Sequence, residues 1–215
     1  MKRHYVAVLF LTMAVIGCKL PGFLGGGGSG AGGKGTATGG SDPKADVIEA
    51  SKRFIALSAF RANMEGVGQT AIKSQVDYVS PDRFHVKYLG GTGAGMEIIF
   101  IGKDGYMKSG DKWTKMPGGG NIPTLRDSFT EDGLKTLSDV KYEGDENVNG
   151  VATSVYSYKN VTPVGDFPFT SKMWVRSDTG VPLKIFVEYT NNQALKHMKV
   201  DYDTDAKITI EPPIK

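Results

Sequence analysis

Cysteine, histidine and tryptophan are scarce in this chain: its 215 residues include one Cys, three His and two Trp. A lone cysteine cannot form a disulfide within the chain. His85 and His197 lie among alternating residues typical of strands, and neither has a Cys, Asp or Glu at the spacing of a metal site or a catalytic triad. We therefore expect no enzyme activity, no metal site and no cofactor.

A long hydrophobic run is also missing. The apolar stretch from Tyr5 to Ile16 follows Lys2 and Arg3, and it is too short to cross a bilayer, because a spanning helix needs about 20 apolar residues. A basic start followed by a short apolar segment and a small residue, here Gly17, is the layout of an export signal. We therefore expect residues 1–17 to be a cleaved signal peptide.

The only cysteine ends the segment Val-Ile-Gly-Cys at residues 15–18, which resembles the bacterial lipobox. That resemblance implies cleavage before Cys18, a diacylglycerol thioether on its sulfur and acylation of its new amino group. The alternative is an ordinary signal peptide with an incidental cysteine. Two or three acyl chains hold a protein on a membrane far more firmly than one chain does. Because Lys19 replaces the Asp that commonly retains lipoproteins in the inner membrane, we expect a cell-envelope protein, anchored through Cys18 in the outer membrane and facing the periplasm.

A strong net charge is absent from the mature chain. Removing residues 1–17 takes away two basic residues and no acidic one, which leaves 24 basic against 23 acidic residues, a net charge of +1. The basic residues are interspersed with acidic ones, so the sequence offers no basic field of the kind that attracts nucleic acid. We expect no nucleic-acid partner.

Glycine, by contrast, is abundant just after the cysteine. The stretch PGFLGGGGSGAGGKGTATGGS at residues 21–41 has too little apolar surface to offset the entropy of ordering it. We expect residues 18–42 to comprise the lipidated cysteine and a flexible tether. Residues 43–215 have the length of one domain.

Two segments of this domain have helical spacing. Asp42-Pro43 is a plausible helix start, and Val47, Ile48, Phe54 and Ile55 form one apolar stripe, so we expect a helix to about residue 57. The stretch 124–138 predicts either one further helix or two short helices separated at Gly133.

The rest of the domain alternates with a period of two, which is typical of half-buried strands. Turns are predicted at residues 80–82, at 109–111, at Asn149-Gly150, at 178–180 and at 191–192. The segment KITIEPP at 207–213 predicts a last edge strand. Such a pattern predicts an α+β fold, in which about ten strands form one antiparallel meander. A sheet of this size curls, so we expect a strongly curved sheet, a half-open barrel, with the N-terminal helix and one or two short helices covering its concave face.

Four segments in this order are similar to a known superfamily. They are VDYVSPDRFHVKY, EIIFIGKDGYMKSGDKWTKMP, YEGDENVNGVATSVYSY and KMWVRSDTGVPLKIFVEY. Together they resemble the lipoprotein carriers of the LolA, LolB and LppX type, and the similarity covers nearly all of residues 43–215. The resemblance implies a half-open barrel with helices in its mouth and an apolar cavity that accepts acyl chains.

The domain is accordingly expected to bind an acyl chain, a lipid or the acyl chains of a lipoprotein, for transport or sensing in the cell envelope. Met and aromatic side chains suit a deformable apolar site. The candidate ligand-binding residues are Phe60, Met64, Tyr78, Phe84, Val86, Tyr88, Ile98 and Phe100. For each of them the alternative is that the side chain simply belongs to the core. The alternative function is an envelope lipoprotein of the same fold that binds no lipid and acts structurally or through an envelope protein partner.

Overall fold

The computed structural model describes residues 42–69, 71–91, 93–117, 129–161, 168–190, 192 and 194–214, without the side chains of residues 131 and 132. The predicted signal peptide, Cys18 and the tether as far as residue 41 lie outside these ranges. No helix within the ranges is both long enough and apolar enough to span a membrane.

The first element is a helix, α1 (Pro43–Ile55), as predicted. It begins there because the Asp42 side chain accepts a hydrogen bond from the backbone N–H of Ala45 at 3.0 Å, and because proline suits the first helical turn. Its buried stripe consists of Val47, Ala50, Ser51 and Phe54. The predicted apolar stripe is therefore divided, since Val47 and Phe54 are buried whereas Ile48 and Ile55 lie on the flank.

Eleven strands follow α1 in the described residues, and all of them belong to one antiparallel sheet that is curved and does not close. A four-residue helix, α2 (Glu131–Leu134), lies between the sixth and seventh strands. The strands are β1 (Ala59–Val67), β2 (Ile72–Val79), β3 (Arg83–Gly91), β4 (Glu97–Ile101), β5 (Asp104–Ser109), β6 (Lys112–Met116), β7 (Ser138–Val148), β8 (Val151–Val161), β9 (Pro168–Arg176), β10 (Pro182–Tyr189) and β11 (His197–Asp203).

The strand order differs from the predicted single meander. It runs β6-β5-β4-β3-β2-β1-β11-β10-β9-β8-β7, so the first and last strands pair in the middle of the sheet. The register of this pair places Ala62 opposite Tyr202 and Met64 opposite Val200. Two meanders are thus joined along β1 and β11, and the strands at the two edges are β6 and β7.

The β7–β8 hairpin confirms the strongest turn prediction. Asn149 has φ of 53° and Gly150 has φ of 87°, and two successive residues with positive φ define the turn that matches the twist of a hairpin. The Asn147 side chain accepts a hydrogen bond from the Gly150 N–H at 2.8 Å. This local chemistry fixes the register of the two strands without help from the rest of the fold.

One prediction for the later part of the chain needs correction, and another falls partly outside the described residues and is not confirmed. The segment KITIEPP does not form an edge strand. Instead, Ile208 and Ile210 pack with Ile99 and Tyr106 in a small apolar cluster, and the Ile210 carbonyl accepts a hydrogen bond from Arg83 Nη1 at 2.6 Å. In the predicted helical stretch 124–138, residues 124–128 lie outside the described ranges, and the described remainder contains only α2.

The main core lies between α1 and the sheet face that carries Phe60, Tyr78 and Tyr202, which we call the inner face. Phe54 of α1 is its centre. The ring centroid of Phe54 lies 4.7 Å from those of Phe60, Phe129 and Tyr202 alike. The helix therefore covers the inner face where β1 and β11 meet.

Candidate functional site: two cavities on the inner face

The eight predicted ligand-binding residues all project from the inner face of β1–β4, because their cross-strand registers align them. Phe60 lies opposite Tyr78, Tyr78 opposite Phe84 and Phe84 opposite Phe100. The next row places Val86 opposite Ile98. The alternation in the sequence thus identified a continuous apolar surface.

Most of this surface belongs to the core, since Val86 and Phe100 are also buried. Phe60 and Tyr78 are fully buried members of the main cluster, and Met64 and Phe84 pack against it. The remaining four, Val86, Tyr88, Ile98 and Phe100, lie outside that cluster, toward β4. None of the eight lines either of the two cavities described next.

The larger cavity is a groove of about 610 Å³ between α1 and the segment that carries α2. We call it the helix groove. Its apolar lining comes from the flank of α1 and from two side chains near α2, and two lysines are present in its wall. The lining residues are Ile48, Lys52, Ile55, Phe129, Thr130, Leu134 and Lys135.

The smaller cavity, of about 60 Å³, lies against β8–β11, and we call it the inner cavity. Phe129 and Leu134 line both cavities, so these two side chains separate them. The inner cavity combines apolar residues with five side chains that carry hydroxyl or amide groups. Its other lining residues are Tyr158, Asn160, Phe169, Ser171, Ile185, Val187, Tyr189, Met198, Val200 and Tyr202.

A buried amide fixes the segment between the two cavities. Asn160 of β8 donates from Nδ2 to the carbonyl of Gly133 at 2.8 Å, and its Oδ1 accepts from the Thr136 hydroxyl and from the Val161 N–H. Lys44 of α1 donates to the carbonyl of Leu137 at 3.0 Å. These bonds hold the α2 segment against the sheet and against the start of α1, and so set the position of Leu134.

The inner cavity is electrically neutral. No charged residue appears among its described lining. Burial raises the pKa of Tyr158 to about 12 and also raises those of Tyr189 and Tyr202, because a phenolate loses its hydration in an apolar environment. The tyrosines therefore stay protonated and offer neutral hydroxyl groups.

Beyond the small cluster of Ile99 and Tyr106, the outer face of the sheet carries cross-strand ion pairs. His85 Nε2 lies 3.0 Å from Glu97 Oε2, and Lys108 donates to the other oxygen of Glu97 at 2.9 Å. The hydrogen bonds from Lys108 and from His85 lower the pKa of Glu97. Trp174 donates to Glu146 at 2.7 Å, with Lys184 Nζ 4.3 Å from its ring centroid. Across the described residues, no three His, Cys, Asp or Glu side chains are grouped to hold a metal ion.

Comparison with solved structures identifies the fold. The chain is similar to the lipoprotein LppX of Mycobacterium tuberculosis, with a TM-score of 0.59 and 12% identity over 79% of this chain and 98% of that one. It is equally similar to LprF of Mycobacterium bovis, with a TM-score of 0.58 and 13% identity over 80% of this chain and 97% of the other. No family model matches the sequence, and no curated protein is similar to it by sequence. The chain has the LppX-like fold, as the resemblance predicted.

Sequence reasoning missed the residues that line the inner cavity. Phe169, Val187 and Tyr189 lie on β9 and β10, far along the chain from the predicted set. The indication available in the sequence was their alternation, which resembles that of β1–β4. What the sequence does not reveal is which half of the inner face is left uncovered by α1.

Proposed function

We propose that this chain is a membrane-anchored bacterial lipoprotein that binds an acyl chain or lipid for transport or sensing in the cell envelope. The observation that carries the proposal is the helix groove, an apolar cleft between α1 and the α2 segment in a chain with the LppX-like fold. Its volume of about 610 Å³ lies within the range of roughly 300–1,000 Å³ that is usual for small-molecule sites.

The lining of the groove suits an amphiphile. Ile48, Ile55, Phe129 and Leu134 supply apolar surface, and each buried methylene of a ligand contributes about 0.8 kcal/mol. Lys52 and Lys135 are part of the same wall, where they can face a polar or anionic head group. Catalysis is not part of the proposal, because this lining contains no nucleophile paired with a base.

The residues predicted from the sequence extend this apolar surface. Tyr88 and Ile98 are partly exposed on the inner face, so a ligand can contact them without any movement of the core. Phe60 and Tyr78 are fully buried under α1, and a ligand would reach them only if the helix moved.

The anchor proposed for the chain is Cys18, which lies outside the described residues. The description of LppX as a lipoprotein supports this assignment. The outer-membrane position, with the domain facing the periplasm, is part of the proposal, and the resemblance of residues 15–18 to a lipobox together with Lys19 supports the choice of membrane. Cys18→Ser, which removes the only thiol, is expected to abolish incorporation of labelled palmitate and to release the protein from the membrane fraction. Continued labelling of the variant would contradict the anchor.

Lipid binding is tested by extracting the purified full chain and analysing the extract by mass spectrometry. Wild type is expected to retain acyl lipids at a reproducible ratio to protein. Ile48→Glu places a charge in the groove and is expected to lose most of that lipid, because it replaces an apolar contact with a carboxylate that an acyl chain would have to desolvate. The matched control is Ala45→Glu, which adds the same charge on the exposed side of the same helix.

Two results would count against lipid binding. One is a wild-type protein that contains no lipid above the level found with an unrelated lipoprotein. The other is equal lipid content in Ile48→Glu and Ala45→Glu. An empty protein that crosslinks to a single envelope protein would instead favour the structural alternative.

A further inference from the structure

One buried hydroxyl in the inner cavity has no hydrogen-bond partner. Ser171 of β9 is 2% exposed, its side chain lines the inner cavity, and its Oγ makes no hydrogen bond to the described residues. Tyr158 lies directly across the β8–β9 pair, and a hydrogen-bonding interaction with Ser171 lowers its pKa against the larger effect of burial. The two hydroxyl groups are therefore neighbours, although the distance and angles between them fall outside those of a full hydrogen bond.

Such a group is unusual, because buried polar atoms are nearly always paired and an unpaired one destabilises the fold. The residues around Ser171 also carry hydroxyl groups. Tyr158, Tyr189 and Tyr202 line the same cavity, and burial keeps all three phenols neutral. The inner cavity therefore presents hydroxyl groups around a small space.

We propose that the inner cavity receives a neutral carbonyl group of the bound lipid, an ester or an amide, and that Ser171 Oγ donates a hydrogen bond to it. This inference rests on the proposed function, because the acyl chain itself occupies the helix groove. Phe129 and Leu134 line both cavities, so the carbonyl end of a chain in the groove passes beside them to reach Ser171.

The size of the inner cavity supports this division. Its volume of about 60 Å³ is about a tenth of the 610 Å³ of the helix groove. The groove is therefore the larger compartment and the one that suits the bulk of an acyl chain. The hydrocarbon and the polar linkage are thus assigned to different compartments.

The neutral lining selects against a free fatty acid. A carboxylate in this cavity would be buried with no cation among the described lining residues, and an unpaired buried charge is far more costly than a neutral carbonyl that accepts one hydrogen bond. A pure hydrocarbon would leave Ser171 unpaired. The class of ligand that satisfies both conditions is a neutral acyl ester or amide.

The test uses native mass spectrometry of the full chain, purified in detergent, stripped of lipid and offered an equimolar mixture of methyl palmitate, palmitate and hexadecane. Wild type is expected to take up methyl palmitate in preference to the other two. Ser171→Ala is expected to lower the affinity for methyl palmitate about fivefold, as the loss of one hydrogen bond implies, and to leave hexadecane unchanged. Ser74→Ala is the matched control, since Ser74 is also a buried inner-face serine but lines neither cavity.

Thermal unfolding of the lipid-free protein provides a second measurement. Because Ser171 Oγ is unpaired, Ser171→Ala is expected to melt at or above the wild-type temperature, which also shows that the variant folds. A lower melting temperature together with unchanged ester binding would mean that the hydroxyl serves the structure and would overturn the inference.

The outcomes separate the two proposals. Equal uptake of the three probes, or a preference for palmitate, overturns the carbonyl site and leaves lipid binding intact. Failure of every probe to bind overturns the proposed function and the carbonyl site with it.

Discussion

Replacing Phe54 with alanine tests the packing on which the whole inner face depends. Phe54 is fully buried, and it is the residue through which α1 contacts Phe60, Phe129 and Tyr202, each with ring centroids 4.7 Å away. Truncation leaves a cavity at the meeting point of the helix, the sheet and the segment that separates the two cavities.

The expected cost follows from these contacts. Phe-to-Ala changes in cores cost about 3–5 kcal/mol, and each well-placed aromatic pair contributes about 0.5–1.5 kcal/mol beyond its buried area. Three such pairs put Phe54→Ala at the upper end, about 4–5 kcal/mol. Phe54→Leu keeps most of the apolar volume and is expected to cost about 1.5 kcal/mol.

The measurement is urea-induced unfolding of the full chain, followed by circular dichroism, with the free energy of unfolding obtained by linear extrapolation. Phe186→Ala is the control, because Phe186 is half-buried on the outer face, where its ring packs on His197, and we expect it to cost about 1 kcal/mol. If Phe54→Ala costs no more than Phe186→Ala, α1 is not packed on the sheet as described and the account of the core is wrong.

Three further predictions concern the amide, an ion pair and a turn. Asn160→Ala leaves the carbonyl of Gly133 and the Val161 N–H without their partner. It is therefore expected to lower the free energy of unfolding in urea by about 2–3 kcal/mol and to lower the lipid content. An unchanged urea midpoint would contradict the role of Asn160 in holding the α2 segment against the sheet. The hydrogen bond from Arg176 lowers the pKa of Asp178 from 3.8 to about 2. The stability that this bond contributes is thus present above pH 3.8 and lost as the pH falls toward 2. Asp178→Asn is expected to be less stable than wild type by under about 1 kcal/mol near neutral pH and equal to it near pH 2. A difference in stability that stays constant with pH would refute the linkage. Gly150→Ala forces a side chain into a positive φ of 87° and is expected to cost about 1–2 kcal/mol, whereas a melting temperature equal to that of wild type would show that the turn relaxes.

Much of the local structure was predictable because its causes are local. Asp42-Pro43 begins a helix, and Asn149-Gly150 closes a hairpin, whatever the rest of the chain does. The alternation that placed Phe60, Tyr78 and Phe84 on one face also holds, because the pleat of a strand forces it. The curved α+β fold follows from adding such segments together.

What the sequence could not predict depends on contacts between distant residues. The pairing of β1 with β11 joins residues separated by more than a hundred positions, and no local pattern distinguishes it from a continued meander. Ile208 and Ile210 alternate as strand residues do. They bury their apolar side chains by packing on Ile99 and Tyr106 and do not join the sheet.

The candidate site shows the same limit. The sequence predicted an apolar surface, and the structure contains one. Eight strands, however, contribute similar apolar side chains to the inner face. Whether such a residue is core or cavity wall depends on where α1 and Phe129 rest, which is a property of the assembled fold. Ser171 carries no sequence pattern at all, since the absence of a full hydrogen bond at its hydroxyl is a property of the folded structure.

The open seam between β6 and β7 has a mechanical consequence. No ladder of main-chain hydrogen bonds joins these two strands, so the sheet can coil more tightly or more loosely without breaking any pair. Two bulges, between Ser138 and Lys141 and between Tyr142 and Gly144, interrupt the regular pairing of β7 and so hinder its extension by a foreign strand. The sheet can therefore change its curvature while the pairing of β1 with β11 at its middle stays intact.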